Sequence, residues 1–195
     1  MRNIEKRIRL QKEAFQIIVL SAIEVYKKEM IGDLFGREET NKGKLDYIVE
    51  LACPYQSAER RYSEAEINIK KLGFNGAPEN LELKLIGDYH SHTDYGQGKK
   101  RTTPYPSEED INWLKENKNA ISIIAAIKKS KKWKSGWNLE KERNSLIGVI
   151  RGKNGDVLNI NIKGFCYDSF TGKPRSLEII PSEQLQIFLK SNKLR

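Results

Sequence analysis

The chain has 195 residues, of which 38% are hydrophobic and 31% are charged. This length suits one domain with a sizeable core, and the composition excludes the intrinsically disordered class. The longest apolar runs fall short of the ~20 residues needed to cross a bilayer, so we expect no membrane span. The net charge of +9 leaves nucleic acid or an acidic protein face open as partners.

We expect a single domain over residues 1–195 in a reducing, cytoplasmic setting. Cys53 and Cys166 are far apart and lack C-x-x-C spacing, so we expect both thiols in the core and no disulfide framework. A basic N-terminus followed by an apolar run resembles a signal peptide. Glu13 and Glu24 interrupt that pattern and argue against it.

In the first third of the chain, apolar residues recur about every four positions, which predicts an amphipathic helix from about Ile4 to Lys27. Two strands are predicted next, from Met30 to Phe35 and from Leu45 to Cys53, with a turn from Glu38 to Lys44 between them. Ser57 to Leu72 carries apolar residues among charges and is predicted to be a helix.

The middle of the chain contains the only two histidines of the protein. Leu81 to Gly87 alternates apolar and polar residues, which predicts a strand that leads into the run from Asp88 to His92. On a strand, His90 and His92 point to the same face. Two imidazoles on one face can bind zinc, which needs a third protein ligand.

A third ligand candidate follows a turn-rich segment. Ser107 has the features of a helix N-cap for a helix that reaches about Asn117, and this places Asp110 in the first turn. Taken alone, these patterns also fit a hydrogen-bonded histidine pair and an ordinary capping box.

The last third of the chain predicts mostly strands. Ala120 to Ile127 is almost continuously apolar, as in the middle of a sheet. Leu146 to Arg151 and Asp156 to Tyr167 flank an Asn-Gly turn signal and predict a hairpin. A closing helix is predicted from Pro181 to about Ser191.

Three motifs, taken in order, resemble the signature of the JAMM or MPN+ metalloproteases, also called JAB domains. That signature is a Glu in E-x-x-G-x-x-x-G, then H-S-H, then S-x-x-D. The matching residues are Glu29, Gly32, Gly36, His90, Ser91, His92, Ser107 and Asp110. The resemblance covers about residues 5–165 and leaves a C-terminal extension with a helix at about 166–195. It implies an α/β fold of the α+β type, a mixed, cytidine-deaminase-like sheet flanked by helices.

The resemblance also implies a site and a chemistry. His90, His92 and Asp110 would bind Zn²⁺, Glu29 would be the general base, and Ser107 would donate a hydrogen bond to the oxyanion. Asp88 and Asp94 flank the histidines and are candidates to orient their other ring nitrogens.

The implied function is that of a zinc metallopeptidase that cleaves after the C-terminal tail of a ubiquitin-like or sulfur-carrier protein. Partners would be a modifier with a Gly-Gly tail, its conjugates and activating or conjugating enzymes, some of them from antiviral operons. One alternative is a metal-free MPN scaffold, which the intact set of site residues disfavours. Another is a nucleic-acid-binding module that uses Lys99 to Arg101 and Lys128 to Lys134. It leaves the histidine placement unexplained, and we expect no nucleic-acid partner.

Two departures from the family pattern stand out. The interval from Thr93 to Pro106 is about twice the common length, and Thr93 occupies a place where Pro is common. Asp33 stands where an apolar or small residue is usual. We predict that the interval is a substrate-binding specificity loop, and the alternative is a tolerated surface insertion.

Overall fold

The computed structural model describes residues 4–55, 59–60, 65–66, 84–94, 102–131, 135–152 and 155–194. The helices in these residues are α1 Lys12–Glu24, α2 Glu108–Glu116 and α3 Glu183–Ser191, with a 3-10 turn at Lys141–Arg143. The strands are β1 Lys6–Leu10, β2 Ile31–Asn41, β3 Lys44–Pro54, β4 Glu59–Arg60, β5 Ala65–Glu66, β6 Leu85–Thr93, β7 Ile121–Lys129, β8 Gly136–Glu140, β9 Ser145–Arg151, β10 Val157–Asp168 and β11 Lys173–Pro181.

Nine of the eleven described strands form one mixed sheet in the order β11-β1-β3-β2-β6-β7-β10-β9-β8. Seven of them, from β11 to β10 in this order, form a closed ring because β10 also pairs with β11. Strand β10 pairs with β9 up to Lys163 and with β11 from Gly164 onward. At this switch a Cβ on Gly164 would collide with the side chain of Ile8. The predicted single-domain mixed α/β architecture is confirmed, whereas the closure of the sheet was not predicted.

The two faces of the sheet carry separate apolar clusters. The large cluster includes residues of α1 and α3, and Phe15 meets Trp137 edge-on with ring centroids 4.7 Å apart. The small cluster of Leu114, Ile124 and Phe165 lies beneath α2 on the opposite face. Burying each such side chain contributes about 1.5–3 kcal/mol, which holds α2 against β7 and β10.

The predicted N-terminal helix is wrong over its first turns. Residues Lys6–Leu10 form β1, which runs parallel to both β3 and β11. Ile8 and Leu10 are fully buried, whereas Arg7 and Arg9 both bind the carboxylate of Asp46. This alternation has the period of a strand, and the helix begins only at Lys12.

Other predicted elements agree with the structure to different degrees. The hairpin of β9 and β10 and the helix after Ser107 are confirmed. The β2 to β3 turn is tighter than predicted, because Lys42 and Gly43 have φ values of 52° and 77° and close a two-residue hairpin. The predicted helix from Ser57 to Leu72 lies largely outside the described residues. Within it, Glu59–Arg60 and Ala65–Glu66 pair as short strands, so the helix is wrong there.

Five strands were not predicted as strands, namely β1, β4, β5, β8 and β11. β11 belongs to the stretch 166–195 and lies in the sheet between β1 and β10. Of the two free thiols, Cys166 is buried but Cys53 is exposed, so the expected core position of Cys53 is wrong. None of the helices in the described ranges is long and apolar enough to cross a membrane.

Candidate metal centre

Strand β6 carries both histidines into the middle of the sheet. It pairs antiparallel with β2 and parallel with β7, so its backbone is fixed on both sides. The rings of His90 and His92 have centroids 5.1 Å apart on the face that carries α2. The prediction that they share a face is confirmed.

The first turn of α2 supplies the carboxylate of Asp110. Ser107 is the N-cap, with extended backbone angles of φ −72° and ψ 178°. Its hydroxyl accepts a hydrogen bond from the Asp110 amide at 3.2 Å, and Asp110 Oδ2 accepts from the Ser107 amide at 2.7 Å. This capping box fixes the carboxylate in position before any ligand is bound.

Three ligand atoms converge between β6 and α2. The Nε2 atom of His90 lies 3.2 Å from Asp110 Oδ1, and that of His92 lies 3.4 Å from Asp110 Oδ2. Atoms bound tetrahedrally to zinc at about 2.0 Å are themselves about 3.3 Å apart. His90 Nε2 is also buried, and its approach to Asp110 lacks hydrogen-bond geometry. Two imidazoles and one carboxylate therefore fit a zinc ion in both spacing and chemistry, and all candidate ligand atoms lie within 4.8 Å of one another.

The second ring nitrogen of each histidine is also contacted. His90 Nδ1 lies 3.1 Å from Asp88 Oδ2, and His92 Nδ1 lies 2.9 Å from the main-chain oxygen of Thr103. Such contacts orient the rings and favour the tautomer whose Nε2 lone pair is available to a metal. Within the described residues, no hydrogen bond joins the Asp94 side chain to either histidine, and the Asp94 amide donates to the Ile127 carbonyl. Thr103 was not anticipated, because a main-chain acceptor leaves no signal in the sequence.

The charges of the centre are strongly coupled. Burial lowers the pKa of His90, but Asp110 and Asp88 outweigh it and raise the pKa to about 10. Burial raises the pKa of Asp110, but His90 and His92 lower it well below its usual range. Without a metal, protons provide the positive charge that these carboxylates require, so metal binding releases protons.

Glu29 lies directly before β2, beside the histidine strand. The amide of Met30 donates to Ser91 Oγ at 2.9 Å, and the amide of Ser91 donates to the Met30 carbonyl at 2.9 Å. Ile31 is opposite His90 in the ladder, and half-buried Glu29 lies two residues before Ile31, just beyond the end of the ladder.

The first glycine of the E-x-x-G-x-x-x-G stretch permits this close approach. A Cβ on Gly32 would collide with the main chain of Cys53 and lie 2.5 Å from a ring atom of Tyr89. Glycine therefore lets β2 pack tightly between β3 and the Tyr89 ring of β6, with Glu29 just before it.

A model of prokaryotic homologs of the JAB domain matches residues 11–139. The chain belongs to the prokaryotic JAB family. The match includes Glu29, both histidines, Ser107 and Asp110, so the resemblance of the sequence motifs is confirmed at the level of the family.

Comparison of the JAB family chain with solved structures gives matches that include the following two. A solution structure of a Desulfitobacterium hafniense protein has a TM-score of 0.55 and 19% identity, and covers 92% of this chain and 96% of its own. The crystal structure of a JAB1/MPN domain protein from Archaeoglobus fulgidus has a TM-score of 0.37 and 16% identity, and covers 89% and 98% of the two chains. No curated protein matches the sequence.

The residues that depart from the usual JAB pattern have specific contacts here. Asp33 accepts a hydrogen bond from the Tyr55 hydroxyl at 2.5 Å, and burial raises the pKa of its carboxyl group. Thr93 donates through its hydroxyl to the Tyr26 carbonyl at 2.5 Å, which ties the end of β6 to the end of α1. Both polar residues therefore have partners where the family commonly has apolar ones or proline.

The long interval of this JAB chain is described only at its two ends. Residues 95–101, which include the basic run Lys99 to Arg101, lie outside the described residues, as do residues 132–134 of the second basic run. The segment from Thr102 to Pro106 lies against the metal centre through Thr103 and against β10 through Tyr105.

Proposed function

We propose that this JAB-family chain is a zinc-dependent peptidase or isopeptidase that cleaves after the C-terminal tail of a ubiquitin-like or sulfur-carrier protein. The observation that carries the proposal is the convergence of His90 Nε2, His92 Nε2 and the Asp110 carboxylate. Each imidazole is oriented from behind by a separate acceptor. Membership of the family supports the hydrolase class.

The chain would bind zinc through these three residues, and zinc in such a site acts as a Lewis acid that lowers the pKa of water to about 7. Glu29 would accept the proton of the attacking water and pass it to the departing amine. Its place two residues before Ile31, the ladder partner of His90, supports this role, because a base must lie near the water and the amine between which it moves the proton.

Ser107 would stabilise the oxyanion that forms when the carbonyl is attacked. Its oxygen already accepts the amide hydrogen of Asp110, so the hydroxyl proton remains available to donate. The side chain is exposed beside the ligand residue that it caps. Loss of one oxyanion donor typically costs about 2.7–4 kcal/mol of transition-state stabilisation.

We further propose the partners that this chemistry requires. A tail that ends in Gly-Gly has no side chains at the scissile bond and can enter a narrow site, so the substrates would be modifiers with such tails and their conjugates. Activating and conjugating enzymes would make those conjugates in the same cell. The free thiols of Cys53 and Cys166 suit a reducing cytoplasm.

The test is hydrolysis of a linear fusion of a ubiquitin-like protein, Gly-Gly and a reporter. We expect zinc-loaded protein to cleave after Gly-Gly and a chelator to abolish cleavage. Glu29→Gln should retain zinc but lose about a hundredfold or more in kcat, whereas Glu24→Gln, an exposed change at the end of α1, should match wild type. His92→Ala should lose the bound zinc by elemental analysis. Unchanged zinc in His92→Ala, or cleavage that survives chelation, would contradict the proposal.

A further inference from the structure

A lysine is buried on the same face of the sheet as the metal centre. The side chain of Lys163 in β10 is only 6% exposed. It lies in one cross-strand row with Ile124 and His90, two strands away from the latter. Strands are about 4.8 Å apart, so Lys163 and His90 are separated by about 10 Å along this row. The proposed hydrolysis makes no use of this cation.

The ammonium group of Lys163 has no carboxylate within 4.0 Å among the residues that the structure describes. The acidic residue of the same row, Glu140, lies beyond Ser145, and its carboxylate is 3.5 Å from Arg143. A buried charge without an opposite charge is costly. The surroundings of Lys163 therefore favour an anion that the described chain does not supply.

Tyr105 connects this buried cation to the surface. Its hydroxyl accepts a hydrogen bond from Lys163 Nζ at 3.1 Å, and the ammonium lies 4.6 Å from the centroid of its ring. Lysine can only donate, so the tyrosine keeps its own proton to donate outward. Tyr105 is 55% exposed, and its ring packs against Phe165 at 6.1 Å. The pair thus presents a hydroxyl donor with a positive charge behind it.

Two further polar groups lie next to Lys163 on this face. Ser145 is its direct partner in β9, and Asn161 precedes it by two positions in β10. Ser145 Oγ and Asn161 Oδ1 are buried and have no hydrogen-bond partner within the described part of the chain. Unsatisfied buried polar atoms are uncommon in folded proteins and mark positions where a polar ligand or water completes the structure.

We propose that Tyr105 and Lys163 form a carboxylate-binding subsite that selects substrate tails with an acidic residue near the third position before the scissile bond. The inference rests on the proposed function. β7 and β10 lie on the side of β6 away from β2. Lys163 and Glu29, the residue that would protonate the leaving amine, are therefore on different sides of the histidine strand. The subsite therefore faces the acyl part of the substrate. Three extended residues span about 10 Å, which matches the separation of Lys163 and His90.

The test compares peptides that differ only in the residue before Gly-Gly. Zinc-loaded full-length protein would be given N-acetylated Ala-Glu-Gly-Gly-, Ala-Gln-Gly-Gly- and Ala-Arg-Gly-Gly- peptides joined to one fluorogenic amine. We expect kcat/KM to fall in the order Glu, Gln, Arg, with Glu preferred over Gln by about fivefold or more. Tyr105→Phe keeps the ring packing and should bring the Glu to Gln ratio close to one. Tyr167→Phe, which keeps a ring beside the small cluster under α2, should retain the wild-type ratio.

A second measurement does not depend on catalysis. The product peptides N-acetyl-Ala-Glu-Gly-Gly and N-acetyl-Ala-Gln-Gly-Gly would be titrated into zinc-free full-length protein, with Kd measured by calorimetry. We expect tighter binding of the Glu peptide to wild type and Tyr167→Phe, and equal binding of both peptides to Tyr105→Phe and Lys163→Met. If no Gly-Gly peptide is cleaved but this preference is present, the subsite stands and the proposed function fails. If cleavage occurs without a preference, or the preference survives in a folded Tyr105→Phe variant, the subsite is wrong while the proposed function stands.

Discussion

The imidazole of His92 is held through Nδ1 by the carbonyl of Thr103, 2.9 Å away. The carbonyl can only accept, so Nδ1 carries the proton and the lone pair of Nε2 faces Asp110 in the neutral ring. The interval from Thr93 to Pro106 thus returns to the strand from which it departs and orients a candidate ligand. A segment that the sequence marks as an insertion is part of the candidate metal centre.

The matching contact behind His90 is made by the carboxylate of Asp88. Asp88→Asn keeps the shape of the side chain but removes its charge, and we expect zinc affinity to fall about 10- to 100-fold, as is usual when a carboxylate that orients a metal-binding histidine is lost. Competition with a chromophoric chelator measures the affinity. Asp94→Asn is the matched control and should bind zinc as wild type does. Equal affinities in Asp88→Asn and wild type would show that Asp88 does not tune the centre.

Ser107 has two separable roles, in the helix cap and in the proposed chemistry. Ser107→Ala should lose about 1 kcal/mol of stability through the cap and about a hundredfold in kcat through the lost donor. Ser182 caps α3 in the same way, accepting from the Leu185 amide at 3.3 Å. Ser182→Ala should show a similar loss in thermal unfolding with normal kcat. A normal kcat in Ser107→Ala would restrict this serine to the cap.

The length of the loop can be tested while the contacts of Thr103 and Tyr105 are kept. Removal of seven residues within Asp94 to Arg101 brings the interval near the common family length and leaves Thr103 and Tyr105 in place. We expect zinc content and cleavage of a short Gly-Gly peptide to persist, while kcat/KM on the protein fusion falls. If both substrates are cleaved as by wild type, the added length has no part in specificity.

The ion pairs of β1 make stability depend on pH. Asp46 is 1% exposed, and although burial raises its pKa, hydrogen bonds from Arg7 and Arg9 lower the pKa below its ordinary value. A carboxyl group whose pKa is lowered in the folded state makes its full contribution to stability at pH values above its unfolded pKa of about 3.9. That contribution disappears as the pH falls through the folded value.

Asp46→Asn should therefore lower the free energy of unfolding by about 3 kcal/mol at pH 7. This value is near the low end of the range for a broken buried ion pair, because Arg9 is 37% exposed and can be hydrated. The difference from wild type should shrink steadily below pH 4 in urea unfolding. Asp156→Asn, which removes an exposed 3.5 Å pair with Lys129, should change stability by less than about 1 kcal/mol at any pH. A pH-independent effect of Asp46→Asn would contradict the ion-pair explanation.

The sequence by itself determined the candidate ligand set. His90 and His92 share a face because strand side chains alternate, and Asp110 lies in the first turn of a helix because Ser107 caps it; that the three belong to one site was implied by the resemblance to the JAB family. Both rules act over a few residues, so they can be applied before any fold is known. Buried strands such as β7 were equally evident, because a long apolar run has few other places to lie.

The tertiary structure decided the features that depend on partners distant in the chain. The segment Lys6–Leu10 is a strand because Asp46 binds its arginines and because β3 and β11 pair with its backbone on both sides. The Thr103 carbonyl contacts His92 across 11 positions of the chain, and main-chain atoms carry no sequence signal. Lys163 faces the same side as His90 because the registers of β6, β7 and β10 align them, and strand register follows from the packing of the whole sheet.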